Sequence, residues 1–160
     1  MMRIAGSLRE INFALLMEVY IEGNMEKACE GLSLREAEQD FYVYLHDDFF
    51  RQKGSVYCVW EENGVYLSAL RMEPYKDGWL LEAFETAPTQ RRKGYGEKLL
   101  RQVVALPEYE KIYSHVHKRN IPSLRLHEKC GFRRISEQAS YIDGSVNSYA
   151  CTMMFQKTRS

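Results

Sequence analysis

One stretch limits what this chain can fold into: Trp79 to Leu106, WLLEAFETAPTQRRKGYGEKLLRQVVAL. Trp79, Leu80, Leu81, Ala83, Phe84 and Thr86 read as a strand that breaks at Pro88. The chain then turns through Gln90 to Gly96 and restarts as a helix whose apolar residues are Leu99, Leu100, Val103, Val104 and Leu106. A strand that enters a basic, glycine-bearing turn at the mouth of a helix is built to hold a phosphate. The first helical amides have no internal partner, and the helix dipole puts partial positive charge beside them. Arg91, Arg92 and Lys93 add formal charge, while Gly94 and Gly96 leave room for a bulky anion near the backbone. The turn is therefore expected to grip a pyrophosphate.

Missing residues narrow the ligand. No G-x-x-x-x-G-K-[ST] occurs, and Leu99 stands where a dinucleotide fingerprint needs its third glycine. What remains is Arg91-x-x-Gly94-x-Gly96. Downstream, Asn120 to Phe132 (NIPSLRLHEKCGF) reads as a helix with Pro122 near its first position, Leu124 and Leu126 as apolar residues, and Gly131 as its stop. The two segments resemble, in order and context, the coenzyme A loop [QR]-x-x-G-x-[GA] and the N-x-x-[AS]-x-x-[LIV]-Y-x-x-x-G-F segment of the GNAT-type N-acetyltransferase superfamily. Asn120, Ser123, Leu126, Gly131 and Phe132 match the second pattern, and with the flanking strands the likeness spans roughly residues 56 to 135.

The rest of the chain is compatible with one domain over residues 1–160. Hydrophobic residues make up 45% and charged residues 28%, as in an ordinary folded protein. Lys+Arg and Asp+Glu both number 22, which argues against nucleic acid or a membrane surface as partner. Neither a secretory pattern nor a membrane-length apolar run is present, and Cys29, Cys58, Cys130 and Cys151 lack metal or redox spacing. They read as reduced thiols of a cytoplasmic protein. His115 and His117 share a strand face, but without a recognisable third ligand no metal is expected.

A short strand is expected over Met1–Ile4 and a helix over Arg9–Ile21 with Gly23 as its stop. A second helix opens on the capping box Ser33-Leu34-Arg35-Glu36, carries Phe41, Tyr44, Leu45 and Phe49 to a core, and ends near Gly54. Asn63-Gly64 marks a hairpin between Val56–Trp60 and Val65–Arg71; Pro74 ends the second strand, and Lys76-Asp77-Gly78 turns into the central one. The helix after Gly94 crosses over to Ile112–Val116, giving one parallel pair in an otherwise antiparallel sheet. The alternation of Tyr149, Cys151, Met153 and Phe155 is that of a last strand, which, if exposed, could pair two copies; monomer and homodimer both stay open. The fold class is α/β (α+β), a mixed, mostly antiparallel sheet flanked by helices, as the GNAT resemblance also implies.

The resemblance implies transfer of an acetyl group from acetyl-CoA, as co-substrate, to an amine in a ternary complex. On that reading Arg91, Arg92, Lys93, Gly94, Tyr95, Gly96 and Glu97 hold the pyrophosphate, and the strand at Phe84, Glu85 and Thr86 pairs with the pantetheine arm. Asn120 and Ser123 are implied as further cofactor contacts, though a turn residue and an early helix hydroxyl account for them equally. Glu82 and Glu85 are candidates for the general base, yet strict alternation puts them on opposite faces unless a bulge intervenes. His127 stands where the superfamily has a tyrosine proton donor; it either protonates the leaving thiolate or simply fills the slot and contacts CoA. The acceptor is a small amine, a lysine or a protein N-terminus, and an acyl-CoA sensor without turnover is the non-enzymatic alternative.

Overall fold

The computed structural model describes residues 1–158. Strand β1 (Met2–Ala5) leads to helices α1 (Phe13–Val19), α2 (Ile21–Cys29) and α3 (Leu34–Asp47). Strands β2 (Val56–Glu62), β3 (Val65–Tyr75) and β4 (Gly78–Thr86) follow, then α4 (Tyr95–Val104), β5 (Lys111–His117) and α5 (Ile121–Lys129). The chain closes with β6 (Arg133–Ser136), a small hairpin of β7 (Ala139–Ser140) and β8 (Val146–Asn147), and β9 (Ala150–Gln156). Seven strands form one sheet in the order β1-β2-β3-β4-β5-β9-β6. Its only parallel pair, among the described residues, is β4 with β5, as the crossover through α4 requires.

Several elements follow from local chemistry. Asn63 and Gly64 both have positive φ (52° and 77°), the requirement of a two-residue turn whose twist matches its strands. Ser33 Oγ accepts from the Glu36 amide, so α3 is capped as the box predicts, although the Glu36 carboxylate meets Ser33 Oγ rather than the Ser33 amide. The two sheet faces carry separate cores. Alternation sends Cys58 and Trp60 of β2 to one face, under Leu99, Leu100 and Val103 of α4 and Leu124 of α5. Tyr57 and Val59 go to the other, against Leu16, Val19, Leu45 and Phe49. Each such fully buried side chain contributes about 1.5–3 kcal/mol of transfer free energy.

Four expectations are corrected. Gly23 does not stop a helix but lies inside α2; the break comes earlier, at Tyr20, whose backbone (φ −99°, ψ 13°) leaves the helix as its ring is buried. Helix α3 ends at Asp47, ahead of a short 3-10 turn over Phe49–Arg51, and not near Gly54. Pro74 does not end β3: it pairs opposite Trp79, beyond the point where β2 stops at Val56 opposite Met72, so no neighbour on that side needs its missing N–H. Strand β9 is not an exposed edge, because it is inserted between β5 and β6 with Cys151 and Met153 buried.

Candidate active site

The centre of the molecule is a split in the sheet. β4 and β5 pair over three positions only, Trp79 with Ile112, Leu80 with Tyr113 and Leu81 with Ser114. From Glu82 to Thr86 no strand lies against β4 on the β5 side, so a notch opens along its last residues. A bulge sits at the same place. Ala69 is opposite Glu85 while Arg71 is opposite Glu82, so β4 uses three residues where β3 uses two. Ala83 takes up the extra residue at φ 49°, an uncommon conformation for alanine. The Tyr20 hydroxyl donates to the Ala83 carbonyl at 2.6 Å and accepts from the Tyr57 hydroxyl at 2.8 Å, tying the bulge to α1 and β2. Burial pushes both phenols up, Tyr57 to about 12, so they stay protonated as donors.

The bulge settles the two carboxylates onto one face. Both Glu82 and Glu85 follow the side of Arg71 and Ala69, toward α1–α3, where strict alternation would separate them. Burial pushes the Glu82 carboxyl up to about 7, helped by the Glu73 carboxylate and opposed by the Arg71 guanidinium. Glu82 Oε2 lies 3.7 Å from Arg71 Nη2, and Oε1 is buried without a hydrogen-bond partner among the described residues. Glu85 is more open; partial burial raises its carboxyl, Arg91 opposes that, and Glu22 and Glu26 reinforce it.

Beside these carboxylates lies a cavity of about 380 Å³ walled by Tyr20, Phe41 and Tyr44, with Lys27, Asp40, Arg71 and Glu85 as its charged groups. The Arg71 guanidinium is packed on the rings of Tyr44 (5.0 Å) and Phe49 (5.4 Å). A larger hollow of about 860 Å³ along α3 shares only Asp40 with this set and reaches neither Arg71 nor either candidate carboxylate of β4. The site chemistry belongs to the smaller one.

At the end of the notch, a 3-10 turn over Pro88–Gln90 leads to the start of α4. Gly94 caps that helix at φ 84°, and the first backbone bond into the helix is Lys98 N–H to Gly94 O. The amides of 92–97 have no partner among the described residues, so a cluster of donors faces outward at a positive dipole end. Gly96 works differently from Gly94. A side chain there would meet Thr86 Oγ1 at 3.2 Å and Phe84 at 3.5 Å, so its bareness lets α4 press against β4. Arg91 turns away from the amides, pairing with Glu22 at 2.9 Å and Glu85 at 3.5 Å. Lys93 Nζ donates to Gln90, Glu97 pairs with Arg101 and Lys129, and the Tyr95 ring packs at the margin of the core. Arg92 (φ 64°) and Lys93 carry the free charge of this corner.

On the far wall Asn120 caps α5, its Oδ1 accepting from the Ser123 amide at 3.2 Å. His127 is 1% exposed. Its Nδ1 lies 2.7 Å from the Ser123 carbonyl and must carry the proton, so Nε2 accepts from the Ser114 hydroxyl at 2.9 Å. Burial pushes the imidazole down, toward the neutral form, against a weaker opposing effect of that carbonyl. The ring sits edge-on to Phe84 and Phe132, at 6.0 and 5.0 Å. Sequence reasoning missed Tyr20, Tyr57, Lys27 and Arg71, none of which lies in a recognisable motif.

Comparison with known proteins agrees with this geometry. The model of the acetyltransferase (GNAT) family matches residues 22–132. Among solved structures, an acetyltransferase from Streptococcus agalactiae is 17% identical and superposes with a TM-score of 0.65, covering 98% of both chains. A variant of the spermidine N-acetyltransferase of Vibrio cholerae is 16% identical at a TM-score of 0.61, over 98% of this chain and 94% of that one. The ribosomal-protein-alanine N-acetyltransferase of Brucella melitensis is 16% identical at a TM-score of 0.60, over 98% and 99%. At these identities the likeness is one of fold. No curated protein sequence matches the chain. With a split sheet, an amide-lined turn after its central strand and a family match over most of its length, the chain belongs to the GNAT family of acetyltransferases.

Proposed function

We propose that the protein moves an acetyl group from acetyl-CoA to the nitrogen of a small amine by direct attack in a ternary complex. One observation carries the reading: unpartnered amides over 92–97 stand at the end of an open strand edge, 82–86, beside a cavity holding carboxylates. Main-chain donors at a helix start suit a pyrophosphate. The free edge of β4 suits an amide-bearing arm laid down as an added strand. Gly94, with nothing within 4 Å of the place a side chain would occupy, leaves the corner clear. When bound, acetyl-CoA supplies an activated thioester; all else is done by this chain.

Glu82 is the proton acceptor of this proposal. A carboxyl held near 7 takes a proton from an ammonium far more readily than one at the ordinary value, and about half of it is ionised at neutral pH. Glu85, lining the cavity, faces the incoming ammonium. The amine nitrogen bonds to the acetyl carbon and the carbon–sulfur bond breaks with its electron pair on sulfur; of the two protons that the ammonium gives up, one resides on Glu82 and the other ends on the departing thiolate. A backbone N–H of the open β4 edge polarises the carbonyl. His127 is assigned no proton-donor role: its single N–H is committed to the Ser123 carbonyl, and it positions Phe84 from behind. Asn120 and Ser123 serve first to hold α5.

Calorimetry with acetyl-CoA and dephospho-CoA, followed by chromatographic detection of CoA release with a panel of amines, tests the reading. Saturable binding of acetyl-CoA and amine-dependent CoA release are expected. Absence of acetyl-CoA binding would remove the proposal.

A further inference from the structure

We infer that the acceptor is an aminocarboxylate, such as an amino acid with an apolar side chain, its carboxylate held by Arg71 and Lys27 and its ammonium by Glu85. This rests on the transferase reading above and narrows it to a substrate class. Arg71 lines the cavity with a side chain 13% exposed, stacked on aromatic rings yet short of hydrogen-bond acceptors. Its Nε is buried with no hydrogen-bond partner among the described residues. Its one ion pair among them is Glu82 at 3.7 Å, longer than a hydrogen bond. A guanidinium has five donors in a planar fork that fits a carboxylate two-pronged, and leaving such donors unmet in a buried place is costly.

Lys27, on α2, is the second cation of the wall and has no ion pair among the described residues. Two anions, Asp40 and Glu85, complete the set, so the cavity presents both signs of charge to one small molecule. The groups around Arg71 fit the same assignment. Glu82 approaches it from β4, with Glu73 acting on Glu82 in turn, and Tyr20, Tyr44 and Tyr57 surround it as neutral phenols. A substrate carboxylate that shares the guanidinium weakens its hold on Glu82, so the proton acceptor becomes more basic when the fitting acceptor is in place. The walls of Tyr20, Phe41 and Tyr44 offer apolar faces to a side chain, and about 380 Å³ accommodates an amino acid. A polyamine fits poorly, since one of its cations would have to lie against Lys27 or Arg71. The adjoining hollow of about 210 Å³ holds the further carboxylates Glu22 and Glu26, but Arg91 engages Glu22 at 2.9 Å, more closely than it does Glu85 at 3.5 Å.

The test compares leucine and phenylalanine with their amides, with isoamylamine and phenethylamine, and with spermidine, reading CoA release from acetyl-CoA. At fixed neutral pH each amino acid is expected to exceed its amide and its decarboxylated amine in kcat/KM by at least about tenfold. Lys27→Glu, an exposed change that spares the core, is expected to lower the preference for each amino acid over its decarboxylated amine about tenfold, through KM. Arg71→Lys is expected to lower that preference more strongly, with the Glu82 limb of the pH profile retained. Spermidine or the decarboxylated amines outperforming the amino acids would overturn the inference and leave the transferase reading intact. So would equal losses for all acceptors in Lys27→Glu, or bound acetyl-CoA with no turnover of either amino acid. Failure to bind acetyl-CoA at all would instead strike the transferase reading itself.

Discussion

Two parts of the site lie on either side of β4 and are made in opposite ways. The corner at the start of α4 is made of main chain: amides over 92–97, bared by one positive-φ glycine and one glycine that lets helix and strand touch. The cavity is made of side chains drawn from the α1–α2 break, α2, α3, β3 and β4, each contributing one to three groups. A main-chain site is specified by a few consecutive residues, because backbone geometry is local. A side-chain site is specified by whatever the fold brings together, and its members can change independently. The first therefore suits a ligand common to a whole family, and the second an acceptor that differs among its members. The family match begins at residue 22, inside α2, so it leaves Tyr20 outside and takes in the other residues of the cavity.

Substitutions can break that division of labour or sharpen it. Glu82→Gln should cut kcat/KM by about a hundredfold to ten-thousandfold while calorimetry finds acetyl-CoA affinity unchanged. The wild-type rate should rise with pH through about 7 and level off, and that limb should vanish in the variant. Stability should carry a matching signature. The carboxyl is raised on folding, so the native state holds the proton more tightly, and stability falls as pH rises from the ordinary carboxylate range toward about 7. Denaturation of Glu82→Gln should lack that slope.

Gly96→Val pushes on the other side of the comparison. A branched side chain 3.2 Å from Thr86 Oγ1 forces α4 off β4, and acetyl-CoA affinity is expected to fall about thirtyfold or more, with about 1–3 kcal/mol lost in chemical denaturation. Equal affinity in this variant would mean that the corner is not where the cofactor is held. Tyr20→Phe removes the hydrogen bond that fixes the Ala83 bulge, at a net cost of about 1 kcal/mol; kcat should drop about tenfold with acetyl-CoA binding preserved. The smallest effect on turnover is expected of His127→Phe: a change within about threefold in kcat, but about 1–3 kcal/mol of stability, because the Ser114 hydroxyl and the Ser123 carbonyl lose a buried partner. A large loss of turnover there, with an altered alkaline limb, would return His127 to the chemistry.

How much was legible in the sequence follows the same line. The Asn63-Gly64 turn, the Ser33 cap, the break at Pro88 and the Gly94 helix start are statements about φ or about one unmet amide, and all stand in the structure. Gly23 misled because its weakness as a helix former was weighed without its surroundings. Placed on an exposed part of α2 with nothing within 4 Å, it costs about 1 kcal/mol relative to alanine, which packing of the neighbouring segment offsets. The bulge was open as a possibility but could not be placed, since alanine is a poor advertisement for positive φ. What holds it is a tyrosine 63 residues away. Arg71 read as one more charge on a strand. Its importance comes from a cavity that only the packing of α1–α3 creates.

The three-pair seam between β4 and β5 has a thermal consequence. Two blocks of sheet meet along a ladder barely longer than one turn of helix, so the empty protein should breathe at that line before it melts elsewhere. A molecule that lays its own amides along the open edge of β4 acts as a splint. Its presence should slow deuterium uptake at Phe84 to Thr86 and lift the melting temperature in step with the logarithm of its concentration.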